Sequence, residues 1–322
     1  MKIFKDCTEG QVTQAAQALR DGHLVAFPTE TVYGLGADAS NASAVSRVYE
    51  VKGRPKDHPL IVHISSENQM SKWASDIPDY AFELARIFWP GPMTLILPRT
   101  NLAEDFLTGG QTNVGLRVPS HPISLRLLGK FESLGGNGIA APSANRFGAV
   151  SPTTMNAVIQ ELGTYLSESD FVLDGEQSTV GIESSIIDCT KTIPRILRPG
   201  AITSDMIEGA ININVSQISS DEHLRTSGMH VTHYAPKAKV VIDELLQPGD
   251  GLIALSAVPT PTGVTRLASP ENVEAFAKDL YHALRKADLS GLARVCIILP
   301  KGDGLEIAIR DRVIRAAASL RH

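Results

Sequence analysis

The 322-residue chain is poor in cysteine, poor in aromatic residues and without long apolar runs. Its three cysteines, Cys7, Cys189 and Cys296, are odd in number and far apart. No C-x-x-C pair occurs, which argues against a disulfide framework and against a zinc ribbon. They read as reduced core residues, and with that goes the expectation of a cytoplasmic protein. No apolar stretch approaches the roughly 18 residues of a membrane-spanning helix, so no membrane association is expected. "MKIFKDCTEG" at the N-terminus lacks an apolar segment followed by a small-residue cleavage site and does not read as a signal peptide. Charge of one sign is also scarce: 30 Lys and Arg stand against 35 Asp and Glu. That excludes a surface dedicated to nucleic acid, while leaving room for a local basic cleft. Walker A and H-E-x-x-H motifs are missing too, and no Ser-His-Asp pattern stands out.

What is present is alternation. Helical spacing in 8–22, capped by Thr8 and closed by Gly22, is followed by the apolar "LVAFPT". Helix 41–53 precedes "PLIVHI", helix 77–89 precedes "MTLILP", and "VGLRVP", "GIAAPSA", "FVLDG", "SSIIDCT" and "RILRPG" complete a set of short strands. This predicts an α/β domain with a twisted mixed sheet over residues 1–205. Periodicity fades from about 202 to 235. Residues 206–236 read as an ordered linker or lid, with Met229, His230, His233 and Tyr234 as its distinctive side chains. A smaller Rossmann-like α/β domain is expected over 237–322, with Ser269 and Pro270 opening its first helix. It lacks G-x-G-x-x-G after its first strand, so no dinucleotide is assigned to it.

Several short stretches carry polar groups in places that need explaining. In "KGRPKDHPLIVHI" (52–64), Pro55 biases Arg54 toward an extended conformation. An extended segment would point Lys52, Arg54 and Lys56 to one side, as a site for an anion such as phosphate or as a solvated basic loop. In "FPTETVYGLGADA", Thr29, Glu30, Thr31 and Tyr33 follow a strand, where open α/β sheets place their sites. Gly34 and Gly36 read there as turn residues. Ser143 and Asn145 also follow a strand, and Ser151 before Pro152 is either a further polar contact or a helix cap. Arg117 lies inside the apolar "VGLRVP" and must find an anionic partner, from the protein or from a bound carboxylate. Ser184 and Ser185 enter one strand and Arg198 leaves another. Together these groups imply positioning around phosphates rather than covalent catalysis.

Taken in order, "PTETVYGLG", "KGRPKDHPL", "GPMTLIL", "VGLRVP", "APSAN" with a following "SP", "LRPG" and "HYAPKA" resemble the threonylcarbamoyl-AMP synthase family, whose fold is YrdC-like. The linker and second domain are similar to its long, two-domain form. The resemblance implies a nucleotidyltransferase that joins L-threonine, bicarbonate or CO2, and ATP into threonylcarbamoyl-adenylate and pyrophosphate, with Mg2+ accompanying the ATP. It implies delivery of the product to tRNA threonylcarbamoyl transferase machinery, with at most a weak contact to RNA. Carried over by motif, Thr31, His63, Arg117 and Ser184 are the expected threonine contacts. Arg54, His58, Asn113, Ala141, Ser143, Ser151, Arg198 and Tyr234 are the expected ATP contacts. Lys52, Arg54, Ser143 and Asn145 match the family's catalytic quartet. The chain departs from the usual pattern at His58, where Asn is commoner, at Ser185, where Thr is usual, and at Thr226-Ser227, where Ser-Pro is usual.

Other classes remain to be weighed. A double-stranded RNA-binding protein of this fold would need a basic surface, against which the acidic balance counts. A carbamoyl-adenylate enzyme of hydrogenase maturation would bring cysteine-rich zinc segments, which this chain lacks. A nucleotide sensor would bind ATP without releasing pyrophosphate.

Overall fold

The computed structural model of the chain describes residues 1–217 and 234–318. The first part forms one mixed sheet. Its strands are β1 (Lys2–Phe4), β2 (Val25–Phe27), β3 (Gly34–Asp38), β4 (Ile61–His63), β5 (Met93–Pro98), β6 (Asn113–Arg117), β7 (Ile139–Ala140), β8 (Phe171–Leu173), β9 (Ser185–Asp188), β10 (Arg195–Arg198) and β11 (Ser216–Gln217). They run in the order β1-β8-β2-β3-β7-β4-β6-β5-β9-β10-β11. β4 and β6 pair in parallel, whereas β3 and β7, and β5 and β6, pair antiparallel. The expected mixed sheet is therefore present.

Local chemistry explains where the helices stop and start. Thr8 caps helix Glu9–Arg20 through a reciprocal box, in which Gln11 N–H donates to the Thr8 hydroxyl and Thr8 N–H to the Gln11 side chain. Such caps stabilise a helix end by about 1 kcal/mol. Helix Ala42–Lys52 ends on Gly53 in the left-handed conformation, at φ 61°. Helix Asp79–Phe88 buries Tyr80, Ala81, Leu84 and Ala85 on one face, as the apolar spacing requires. The main core includes Leu35, Val62, Leu95 and Leu116 from the sheet, with Val48, Trp73 and Leu84 from the helices.

The glycines of "YGLGAD" do not turn the chain. They lie in β3, which is buried at every position. A Cβ at Gly36 would meet Ile139 Cγ2 and Phe27 Cε1, both at 2.8 Å. These glycines serve close packing between strands rather than a turn.

The faded region contains structure that the spacing did not reveal: helix Ser204–Ile211, capped by Thr203, and the short β11. Met229, His230, His233 and the Thr226-Ser227 departure lie outside the described residues. The second sheet comprises β12 (Lys239–Ile242), β13 (Gly251–Ile253), β14 (Thr265–Ala268) and β15 (Arg294–Ile297), all parallel, in the order β12-β15-β13-β14. Helices Val273–Leu289 and Leu305–Ala317 pack against it. The first is capped by Asn272, whose side chain accepts from Ala275 N–H at 2.8 Å, not by Ser269 with Pro270 in the first turn. Asn272 is as good a cap as a serine, and the helix begins three residues later than the proline suggests.

The two parts share a core. Val32, Val150 and Ile182 from the first pack with Phe276, Leu280, Tyr281 and Val313 from the second. Among the described residues, no helix is long and apolar enough to cross a membrane.

Candidate active site

The parallel pairing of β4 with β6 sets His63 opposite Arg117 at the ends of their strands. Beyond β2, Thr29 organises the next turn. Its hydroxyl donates to Val32 O at 2.6 Å, accepts from the N–H groups of Thr31 and Val32, and lies 2.8 Å from the Thr31 hydroxyl. This side-chain-to-backbone turn turns Thr31 toward the same strand ends. β3 is tied to the Ser143 segment by a bridge between Gly34 and Ser143.

Between these segments opens a cleft of about 550 Å³, its mouth included. Of the expected contacts, Thr31, Arg54, His63, Arg117, Ala141, Ser143, Ser184, Arg198 and Tyr234 line it. The three arginines come from segments more than sixty residues apart in sequence, and each is almost completely buried. A cleft with this many fixed guanidinium groups suits a ligand bearing several anionic groups.

Some expected residues stand behind the cleft wall. Lys52, Arg54 and Lys56 do not share a side. Gly53 breaks the helix between the first two, so the three diverge. Lys52 points inward, is 2% exposed, and donates to the carbonyls of Ser143 and Asn145, both at 2.5 Å. Arg54 donates to Pro59 O at 3.1 Å, and Lys56 is exposed beside the Ser46 hydroxyl. Asn145 is buried and donates to the carbonyls of Arg146 and Ala149. The His58 ring packs 5.4 Å from that of Phe147, and Asn113 is half-buried where β6 begins. Ser151 is not a helix cap, because Thr154 caps helix Met155–Leu162. Its hydroxyl instead donates to Glu183 Oε1 at 2.7 Å.

Two carboxylates complete the wall. Glu30 lies 2.8 Å from Arg117 Nη2, with both side chains buried. The contact is off the hydrogen-bond axis, so it is a close ion pair rather than an aligned bond. Arg117 thus has a protein partner and keeps further donors for a ligand. Glu183 accepts from Ser151, Tyr281 and Arg312. The segment "TETV" placed Glu30 near the site, but nothing in the sequence ties Glu183 to residues about a hundred or more positions away. The one available signal was an acid flanked by Ile182 and the Ser184-Ser185 pair, which demands a partner for the same reason as Arg117.

Burial sets the protonation states. It pushes the His63 imidazole down to about 3, helped by Arg117, so this ring is neutral near pH 7. Nδ1 of His63 has no protein partner. Burial brings Arg54 down to about 10, still a cation, and lowers Arg198. It pushes Lys52 well below its ordinary value, with Arg54 adding to the effect. Burial alone would raise Glu183, but Arg312, then Arg198, hold the carboxyl at about 2. Tyr234 is raised to about 12 by burial and by Glu183, so its phenol stays protonated. Thr94 and Ser184 hydroxyls meet at 2.8 Å, and Arg198 donates to Ser184 O and Oγ at 3.0 and 3.1 Å.

Comparison with known proteins matches nearly the whole chain. The model of the Sua5, YciO and YrdC family, described as telomere recombination, matches residues 17–200. The model of the threonylcarbamoyl-AMP synthase C-terminal domain matches residues 202–318. Threonylcarbamoyl-AMP synthase of Pyrococcus abyssi is 38% identical over 331 residues, covering 96% of this chain and 94% of its own. That of Bacillus subtilis is 37% identical over 328 residues, covering 95% and 93%. The crystal structure of Pyrococcus abyssi Sua5 complexed with L-threonine superposes with a TM-score of 0.88 at 35% identity, over 99% of this chain and 97% of that one. The chain belongs to the threonylcarbamoyl-AMP synthase family, in its two-domain form.

Proposed function

We infer that the chain is an L-threonylcarbamoyladenylate synthase. The threonine amine adds to CO2 and loses a proton, giving a carbamate. A carbamate oxygen attacks the α-phosphorus of ATP in line, the bond to the bridging oxygen breaks, and pyrophosphate departs. The observation that carries this reading is the convergence of Arg54, Arg117 and Arg198 in one cleft with Thr31, His63, Ser143 and Ser184. One carboxylate and one triphosphate need that much fixed positive charge in a site from which water is largely excluded.

In this reading Arg117 receives the threonine carboxylate, with the neutral His63 and the hydroxyls of Thr31 and Ser184 around the amino acid. Arg54, Arg198 and Ser143 face the phosphates, Ala141 offers an apolar wall, and Tyr234 covers the cleft against hydrolysis of the carbamate and the adenylate. Lys52 acts one step back, by fixing the carbonyls of Ser143 and Asn145. Ser151 does so through Glu183.

Mg2+ enters with ATP as substrate. The carboxylates of the cleft, Glu30 and Glu183, are taken by arginines and hydroxyls. Among the described residues no group of His, Cys, Asp and Glu is arranged to hold an ion. A Mg2+ carried in by the triphosphate would suit such a site and would offset phosphate charge, since Mg2+ usually keeps several of its waters and binds through substrate phosphates. The product is a mixed anhydride. A transferase that moves the threonylcarbamoyl group to a tRNA adenosine is the proposed consumer.

The test is pyrophosphate release from ATP with L-threonine, bicarbonate and Mg2+, each omitted in turn, and with L-serine as control. Release that requires both threonine and bicarbonate supports the reading. ATP binding without release, or release indifferent to threonine, overturns it.

A further inference from the structure

The second lobe meets the cleft wall at Glu183. Arg312, in helix Leu305–Ala317, is completely buried. Its Nε donates to Glu183 Oε2 at 2.9 Å, and its Nη2 to Pro199 O at 2.9 Å and Glu183 O at 3.5 Å. Its Nη1 donates to Asp311 Oδ2 at 2.6 Å. From helix Val273–Leu289, the Tyr281 hydroxyl donates to the same Glu183 Oε2 at 2.8 Å. The Tyr281 ring stacks on Tyr234 with centroids 5.5 Å apart and planes 25° apart, and the Arg312 guanidinium lies 5.6 Å from the Tyr234 ring.

These contacts fall on residues that adjoin the cleft's polar groups. Glu183 precedes Ser184, Pro199 follows Arg198, and Ser151 hangs on the other oxygen of Glu183. A buried ion pair is a poor way to gain stability, since apolar residues of the same volume commonly do as well or better. A carboxylate with donors on both oxygens is, however, fixed in place. The glycine at 181, φ +80°, lets this segment press against the second lobe, where a Cβ would stand 2.4 Å from Lys278 Cα.

We propose that Arg312 and Tyr281 are positioning residues of the second lobe that clamp Glu183 and Tyr234, and thereby set Arg198 and Tyr234 to receive ATP. The proposal rests on the synthase reading for its kinetic form. It gives the second lobe a part in the chemistry without any contact to substrate.

The test uses the full chain and pyrophosphate release against ATP and threonine concentration. The variants are Tyr281→Phe, Arg312→Lys and Arg312→Met, with Val313→Ala as a control, a buried residue of the same helix that faces the second core. Tyr281→Phe is expected to raise the KM for ATP by roughly 3- to 10-fold, and Arg312→Met to lower kcat/KM for ATP by about 10- to 100-fold. Arg312→Lys falls between, because an ammonium keeps the charge but not the fork. The KM for threonine stays within about threefold, because Thr31, His63 and Arg117 lie on other segments and only Ser184 adjoins Glu183. Val313→Ala lowers the denaturation midpoint and leaves the KM for ATP unchanged. Tyr281→Phe and Arg312→Lys keep the question answerable if Arg312→Met does not fold. The proposal is overturned if both lower the midpoint as Val313→Ala does while the KM for ATP stays at its wild-type value, or if the KM values for ATP and threonine rise together. Wild-type chain that releases no threonine-dependent pyrophosphate would sink the synthase reading alone. The clamp would then be judged from the ATP Kd of the same variants by calorimetry.

Discussion

Arg117 and Glu30 invite a thermodynamic cycle. Their side chains are 6% and 5% exposed, and their charged atoms are 2.8 Å apart. Taking Arg117 to Met leaves the Glu30 carboxylate buried without its cation, and taking Glu30 to Gln leaves the guanidinium without its anion. Removing one member of a buried pair costs about 3–5 kcal/mol, whereas removing both is often nearly neutral. Ser120 N–H donates to Glu30 Oε2 and Gly91 O accepts from Arg117 Nε, so each survivor keeps one weak partner. The lower end, about 3 kcal/mol for each single variant, is therefore the expectation. The double variant should lie within about 1.5 kcal/mol of wild type, giving a coupling of several kcal/mol. Urea unfolding of the four proteins measures it. Pyrophosphate release should fall about 30- to 1000-fold in both proteins that lack Arg117, equivalent to roughly 2–4 kcal/mol of transition-state stabilisation. Single variants within about 1 kcal/mol of wild type, or a double variant equal to their sum, would refute the claim that this pair is a coupled buried charge. Wild-type kinetics in Arg117→Met would refute its role with the threonine carboxylate.

Further outcomes follow from other features. His63 titrates near 3 in the fold against about 6.5 unfolded, so the unfolded chain takes up the proton first on acidification. Its contribution is intact above about pH 6.5 and is lost as pH falls toward about 3, roughly 2 kcal/mol by pH 5. The urea midpoint of His63→Gln should fall less between pH 7.5 and 5 than that of wild type, and identical slopes would count against a buried neutral ring. Gly36→Ala should destabilise by about 1–3 kcal/mol through overpacking against Ile139 and Phe27; an unchanged melting temperature would contradict the close approach of β3. Lys52→Met frees the Ser143 and Asn145 carbonyls and should cut kcat/KM for ATP by about 10- to 100-fold, with steady-state kinetics as the check.

The sequence was most legible where one physical signal dominated. Thr8 caps the first helix as its position suggests, and "MTLILP" is β5 residue for residue. Signals were lost where tertiary contact outweighed local preference. "GLGAD" has two glycines that disfavour a strand, yet β3 exists because a neighbouring strand needs the space a side chain would fill. Helix Ser204–Ile211 has eight residues and only Ile207 buried, too little for a period to show. The basic run 52–56 misled for a different reason: side chains alternate in that way only along an extended chain, and Lys52 is the last residue of a helix. Arg117 and Arg198 announced themselves as charges inside apolar strands. Glu183 and Arg312 are 129 positions apart, and neither stretch holds a trace of the other.

The core that Val32, Val150 and Ile182 share with Phe276 and Val313 bears on how such a protein could have been assembled from parts. A boundary drawn near residue 205 looks clean in the sequence, although it falls inside helix Ser204–Ile211 and leaves β11 of the first sheet beyond it. Severing the gene there would nevertheless expose three apolar side chains and strand an ionised Glu183 without Arg312. Without the second lobe Glu183 would keep Ser151 and the nearby Arg198 but lose the guanidinium and the phenol on its other oxygen. Linear modularity and folding modularity have come apart in this chain, and truncated versions should be designed with the acid at 183 replaced.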